Sequence, residues 1–160
     1  AMFNPAVQTF IKTTAATAQW TGSVCVGAFI LAAAGLLNNC TVTTYWSQLN
    51  NLRLLDSYCN IKIPEGYPRG IIDEQHKRFT GGGVSSSVDL ALMLVEKIKG
   101  KWMAEASELY IQYSPDPPVY TGDPGAAPQS LVKQVLISQA GATKLYYDAV
   151  QQILNPGQVL

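Results

Sequence analysis

Trp20-Thr-Gly-Ser-Val-Cys-Val-Gly-Ala-Phe-Ile-Leu-Ala-Ala-Ala-Gly35 puts a thiol, Cys25, where a short β-like stretch (20–24) runs into an uncharged apolar pattern that reads as a buried helix over 26–37. Ser23 and Gly27 stand two residues before and two after it. A nucleophile elbow needs small residues at those two places, because the chain turns so sharply that the flanking backbones nearly touch. A cysteine at or just before a helix N-terminus also meets unsatisfied N–H groups and the positive end of the helix dipole, which favour thiolate. The backbone N–H of Val26 could stabilise an anionic intermediate in the manner of an oxyanion hole. The competing reading is a buried structural cysteine, a common fate of a free thiol.

Composition narrows what such a site can serve. The chain has 160 residues, 48% hydrophobic and only 14% charged, enough for one α/β domain over 1–160 with a sizeable core. Eleven basic and eleven acidic residues cancel, which leaves no electrostatic footprint for nucleic acid and no polybasic membrane patch. Small molecules and protein partners remain. The longest apolar stretch, Val24 to Leu37, is broken by Gly27 and Gly35 and falls short of the roughly twenty residues that span a bilayer.

Cys25, Cys40 and Cys59 form no C-x-x-C pair, and His76, the one histidine, lies far along the chain from all three. No metal site and no cofactor are expected on that pattern. Cys40 and Cys59 read as packing residues, and the sparse, odd cysteine count suits a reducing, cytoplasmic setting. Ala1 to Gln8 has neither the basic stretch nor the apolar core of a secretory leader.

Working outward from the elbow, Asn4 and Pro5 open a helix over about 5–18. Thr41-Val-Thr-Thr-Tyr45 reads as a β-branched strand, followed by a short helix around 47–55 and extended segments near 60–63, 69–73 and 77–80. Helix, strand, helix and strand in that order argue for a layered α/β sheet. A Gly-rich loop and helix occupy 80–99, opened by Thr80-Gly-Gly-Gly-Val-Ser-Ser-Ser87. Such a loop can cradle an anion, but the Walker lysine and the G-x-G-x-x-G spacing are absent. Serines capping the helix and glycines admitting neighbouring backbone is the simpler reading. A helical pattern resumes over 102–112, a proline-rich arm over 114–128 is expected to lie across a surface, and 130–154 reads as one C-terminal helix.

Four separated segments, Ser23 to Leu37, Thr43-Thr-Tyr-Trp46, Thr80 to Leu92 and Gln112-Tyr-Ser-Pro-Asp-Pro-Pro-Val119, occur in the order found in the ThiJ/PfpI superfamily. The chain most resembles its isocyanide hydratase branch. The resemblance implies a flavodoxin-like three-layer sandwich, usually a homodimer, acting on a small-molecule electrophile without a cofactor. It implies Cys25 as the nucleophile and a hydratase that converts an isocyanide to an N-substituted formamide. Tyr45 and Trp46, with the loop residues Gly82, Gly83 and Val84, would wall the substrate pocket, although an aromatic pair at a strand end is also ordinary core.

Two departures stand out. Val26 replaces the His or Thr usual after the cysteine, and Tyr45 replaces the His of a Thr-Thr-His-Trp run. A Cys–His dyad is therefore not expected, which argues against peptidase chemistry. A thiol-based redox sensor or non-catalytic ligand-binding domain, and a glyoxalase- or deglycase-like hydratase, are the alternatives.

The resemblance also places several strands, and the acid that pairs with the cysteine, upstream of the segment matching residues 5–18. The 160 residues are therefore expected to be a C-terminal portion, whether truncated, processed, or one half of a split protein whose N-terminal piece is another chain. A sheet without those strands would expose unpaired edges. Gel filtration with intact-mass measurement should find the chain bound to another fragment or self-associated, and a well-behaved monomer would overturn that expectation.

Overall fold

The computed structural model describes residues 2–157; the ends of the expected 1–160 unit, Ala1 and residues 158–160, lie outside it. A three-stranded sheet forms the middle layer. Strand β1 (Thr21–Ser23) lies parallel to β3 (Arg78–Gly81), and β2 (Gly70–Asp73) lies antiparallel to β3 on its other side. The outer edge of β1 pairs with nothing among the described residues.

Period-two alternation sends successive side chains to opposite faces, and each face of β3 meets a different layer. On one face Thr80 is buried and its Oγ1 accepts the Thr43 backbone N–H at 2.8 Å. On the other, Gly81 leaves room for Leu90 of helix α5 (Ser86–Lys99): a Cβ there would sit 2.8 Å from Leu90 Cδ2. Gly70, the register partner of Gly81, is equally tight against Leu90. The two glycines let α5 settle against the sheet. Helix α6 (Lys101–Tyr110) packs on α5 after Gly100 takes φ +85° and breaks the helical run.

The core lies on the Thr80 side. It joins helix α2 (Gly27–Ala33) to the segment around Leu37, Cys40 and Val42, to α3 (Leu49–Arg53) and α4 (Asp56–Cys59), and to Val150 and Ile153 of the last helix. Phe29 is fully buried and stacks on Tyr146, with ring centroids 5.0 Å apart. Burying a side chain of this kind contributes about 1.5–3 kcal/mol. Helix α1 (Pro5–Thr17) lies at the periphery, capped by Asn4, whose Oδ1 accepts the Ala6 and Val7 N–H groups.

Several expected elements differ. The helix predicted over 26–37 stops at Ala33, because Gly35 at φ +71° closes a Schellman turn: Leu36 N–H donates to Leu31 O and Gly35 N–H to Ala32 O. The strand predicted over 41–45 is reduced to a single bridge, Thr41 to Lys62. The Thr80 side chain takes the Thr43 amide, and the backbone then enters a 3₁₀ turn at Trp46–Gln48.

The predicted C-terminal helix is two helices, α7 (Gln129–Ser138) and α8 (Ala140–Leu154), divided at Gln139. The break turns α8 toward α3. The serines do not cap α5 with their side chains; Ser86 and Ser87 donate back to the Gly83 carbonyl at 2.8 and 3.0 Å. No described helix is long and apolar enough to cross a membrane.

Gly22 is the tightest point of the β1–β3 pair: a Cβ there would lie 2.3 Å from both Phe79 O and the Phe79 ring. Backbone cannot yield as a side-chain tip can, so Gly22→Ala should destabilise the chain by about 1–3 kcal/mol or more. Urea unfolding should show this as a lower midpoint, and an unchanged midpoint would contradict the packing.

Candidate active site

Cys25 follows β1 and precedes α2 with φ +54°, a left-handed conformation that a non-glycine residue rarely adopts. Holding a residue there costs about 1–3 kcal/mol and persists only where the surroundings enforce it. The surroundings here are specific. The Cys25 N–H donates to Gly81 O at the end of β3 (3.0 Å), the Thr44 hydroxyl donates to Cys25 O (2.7 Å), and Gly27 N–H closes the turn on Val24 O (3.0 Å). A Cβ on Gly27 would stand 3.1 Å from Ser23 Cβ, the close approach that small residues at both places permit.

The thiol is half-buried, whereas Cys40 and Cys59 are buried. Val26 occupies the N-cap of α2, and its N–H makes no hydrogen bond among the described residues. With seven residues, α2 supplies a weaker dipole than the longer helix expected from the sequence. Tyr146 belongs to the same neighbourhood: burial, then the negative charge of Cys25, push its phenol above the ordinary value.

Beside the elbow is a cavity of about 480 Å³. Tyr45, Trp46, Gly82, Gly83 and Val84, the five pocket residues inferred from the sequence, all line it. Cys25 does not; Thr44, which lines the cavity and hydrogen-bonds the cysteine carbonyl, connects the two. The aromatic wall continues from Tyr45 and Trp46, 5.9 Å between centroids, to Tyr67, set edge-on to Trp46 at 6.4 Å. The Tyr45 hydroxyl accepts a hydrogen bond from Gln139 Nε2 at 3.0 Å. From the proline-rich arm, Gly122, Asp123 and Pro124 border the cavity.

Sequence reasoning missed Thr44, Tyr67 and Arg69 as lining residues. Thr44 sat inside a quoted motif, but its contact with Cys25 joins residues nineteen apart. Arg69 pairs with Asp89, which also accepts from Tyr113 Oη at 2.7 Å, so α5 and the chain after α6 fix that rim. Sequence separation also misled about His76. The Asp73 carboxylate, at the end of β2, accepts the Thr41 N–H at 2.7 Å and lies 3.0 Å from the His76 ring Nδ1, which brings the histidine beside Cys40.

A cysteine held in a left-handed turn between a strand and a helix, beside a cavity walled on one side by aromatic rings, marks an α/β protein with a sharp strand-to-helix elbow. The DJ-1/PfpI family model matches residues 2–97, and the chain belongs to that family. It is 34% identical to isonitrile hydratase of Pseudomonas putida over 136 residues, 85% of this chain and 56% of that protein. A THiJ/PfpI family protein from Pseudomonas syringae superposes with a TM-score of 0.81 at 30% identity, covering 93% of this chain and 58% of the other. The HTH-type transcriptional regulator GbdR of Pseudomonas aeruginosa is 28% identical over 109 residues, 64% of this chain and 27% of the regulator. The chain thus spans little more than half the length of the hydratase and of the Pseudomonas syringae protein.

The three thiols should differ in reactivity. Burial, then the charge of Asp73, push the Cys40 thiol up to about 11 against the pull of Arg78, and burial raises Cys59. Iodoacetamide at pH 8 should therefore modify Cys25 alone in the folded chain, with no modified species in Cys25→Ser. Labelling of Cys40 at a comparable rate, read by peptide mass spectrometry, would contradict this.

Proposed function

We propose that the protein containing this chain is a cysteine-dependent hydratase that adds water to an isocyanide. The observation that carries the reading is the enforced left-handed turn at Cys25, which spends folding energy on presenting one thiol. The relative named isonitrile hydratase supports the substrate class.

In the proposed reaction the Cys25 sulfur attacks the terminal carbon of R–N≡C. A C–S bond forms, the carbon takes a proton, and the product is a covalent thioimidate. Water then adds to that carbon, the C–S bond breaks, and the sulfur recovers a proton as N-substituted formamide leaves. In this reading the Val26 N–H, which makes no hydrogen bond among the described residues, steadies negative charge as water adds. The wall of Tyr45, Trp46 and Tyr67 suits an apolar R group, and Gly82, Gly83 and Val84 border the opening.

The protons require a carboxylic acid. The described hydrogen bonds of Cys25 run only to Gly81 and Thr44, so the 160-residue chain by itself is expected to be inactive.

The likeness to a transcriptional regulator supports a second reading, a ligand-binding or thiol-sensing domain that turns nothing over. A small-carbonyl hydratase would use the same thiol. Assays on the native protein carrying these residues separate the three. Formamide production from an alkyl isocyanide should fall by at least about a thousandfold in Cys25→Ser. Peroxide oxidation of Cys25 without turnover would favour the sensor, and preference for methylglyoxal would favour the glyoxal-directed enzyme.

A further inference from the structure

Cys25 sits where β1 and β3 end; a second group of reactive side chains lies at the other end of β3. There Cys40, Asp73 and His76 offer a thiol sulfur, a carboxylate oxygen and an imidazole nitrogen, all within 4.8 Å of one another. We propose that Cys40, Asp73 and His76 form a binding site for a zinc ion, with three protein ligands and a water completing a tetrahedron.

The donor set selects the metal. A thiolate with an imidazole and a carboxylate suits a borderline-soft ion such as Zn²⁺ and is a poor match for Mg²⁺ or Ca²⁺, which take oxygen ligands. The geometry is close to what the ion needs. Tetrahedral zinc with ordinary bond lengths holds its ligand atoms about 3.3–3.5 Å apart. Asp73 Oδ1 and His76 Nδ1 are already 3.0 Å apart, so closing the site asks mainly for movement between those two groups and the sulfur. The His76 ring, partly exposed, has room to make it and gives the ion a way in.

The support around the ligands is firm. Asp73 is buried and anchored by the Thr41 N–H on Oδ2 and the His76 N–H on Oδ1, which leaves lone pairs for a metal. Cys40 is buried, and its sulfur reaches only the carbonyls of Asn38 and Leu36, at 3.5 and 4.0 Å. Arg78, the nearby cation, is turned onto the carbonyls of Leu36, His76 and Lys77. Binding replaces the S–H bond of Cys40 with an S–Zn bond and releases that proton to water. The imidazole turns a lone pair to the ion, and Zn²⁺ with one thiolate and one carboxylate is neutral overall.

The test uses the native protein carrying these residues, freed of metal by a chelator and titrated with Co²⁺ and then Zn²⁺. Cobalt should produce a near-ultraviolet thiolate charge-transfer band and visible bands of four-coordination at one equivalent, and Zn²⁺ should abolish them. The charge-transfer band should persist in Cys25→Ser and vanish in Cys40→Ser. Should Cys40→Ser fail to fold, His76→Gln, at a partly exposed position, carries the same test and should weaken Zn²⁺ binding by more than about tenfold in calorimetry. Absence of the band in the wild-type chain, its loss in Cys25→Ser, or unchanged zinc affinity in His76→Gln would overturn the proposal.

Discussion

The hydrogen bond from the Cys25 amide to the Gly81 carbonyl is the contact on which the rest of the site depends. It extends the parallel β1–β3 pair one residue past the sheet and stops the chain in a conformation that a cysteine would otherwise leave. Gly22 lets β1 lie close against Phe79, and Gly81 makes space for Leu90 on the opposite layer. Each of these small residues lets backbone approach where a side chain would hold it off. The elbow is therefore a product of packing between elements far apart in sequence, as well as of its own local spacing.

The chemistry that follows has a division of labour. In the proposed reaction the elbow would present the thiol and the separate cavity walled by Tyr45, Trp46 and Tyr67 would take the substituent, and Thr44 links the two through a single hydrogen bond. A reacting group on Cys25 and a substituent in the cavity would thus be held by different layers of the fold. Family membership is established by the match over residues 2–97. The isocyanide substrate is a proposal that rests on the relative and on the aromatic wall of the cavity.

The elbow was legible in the sequence because it is local: Ser23, Cys25 and Gly27 carry its steric requirement within five residues. The pocket residues could be inferred from the resemblance of the motifs, but their convergence on one cavity could not be read from any periodicity. Strands β2 and β3 fell close to the expected positions. The stretch after Cys40 did not form the expected strand, because β-branched residues favour extended backbone without deciding whether a partner strand or a side chain takes the amide. Gly35 was visible, yet its left-handed turn had to be weighed against the apolar run continuing to Leu37. The nearness of His76 to Cys40 was not legible for the opposite reason: the turn after Asp73 erases a separation of more than thirty residues, and no composition rule anticipates that.

The break between α7 and α8 has a consequence for how such a protein diversifies. Gln139, at the break, holds the hydroxyl of Tyr45 from 94 positions away. The rim of the cavity is thereby tethered to α7 and α8, and α8 also stacks Tyr146 on Phe29 of the elbow helix. A change in α8 would therefore tilt the aromatic wall and shift the packing behind Cys25 together. The shape of the cavity and the packing of the elbow are bound to one another through a single helix.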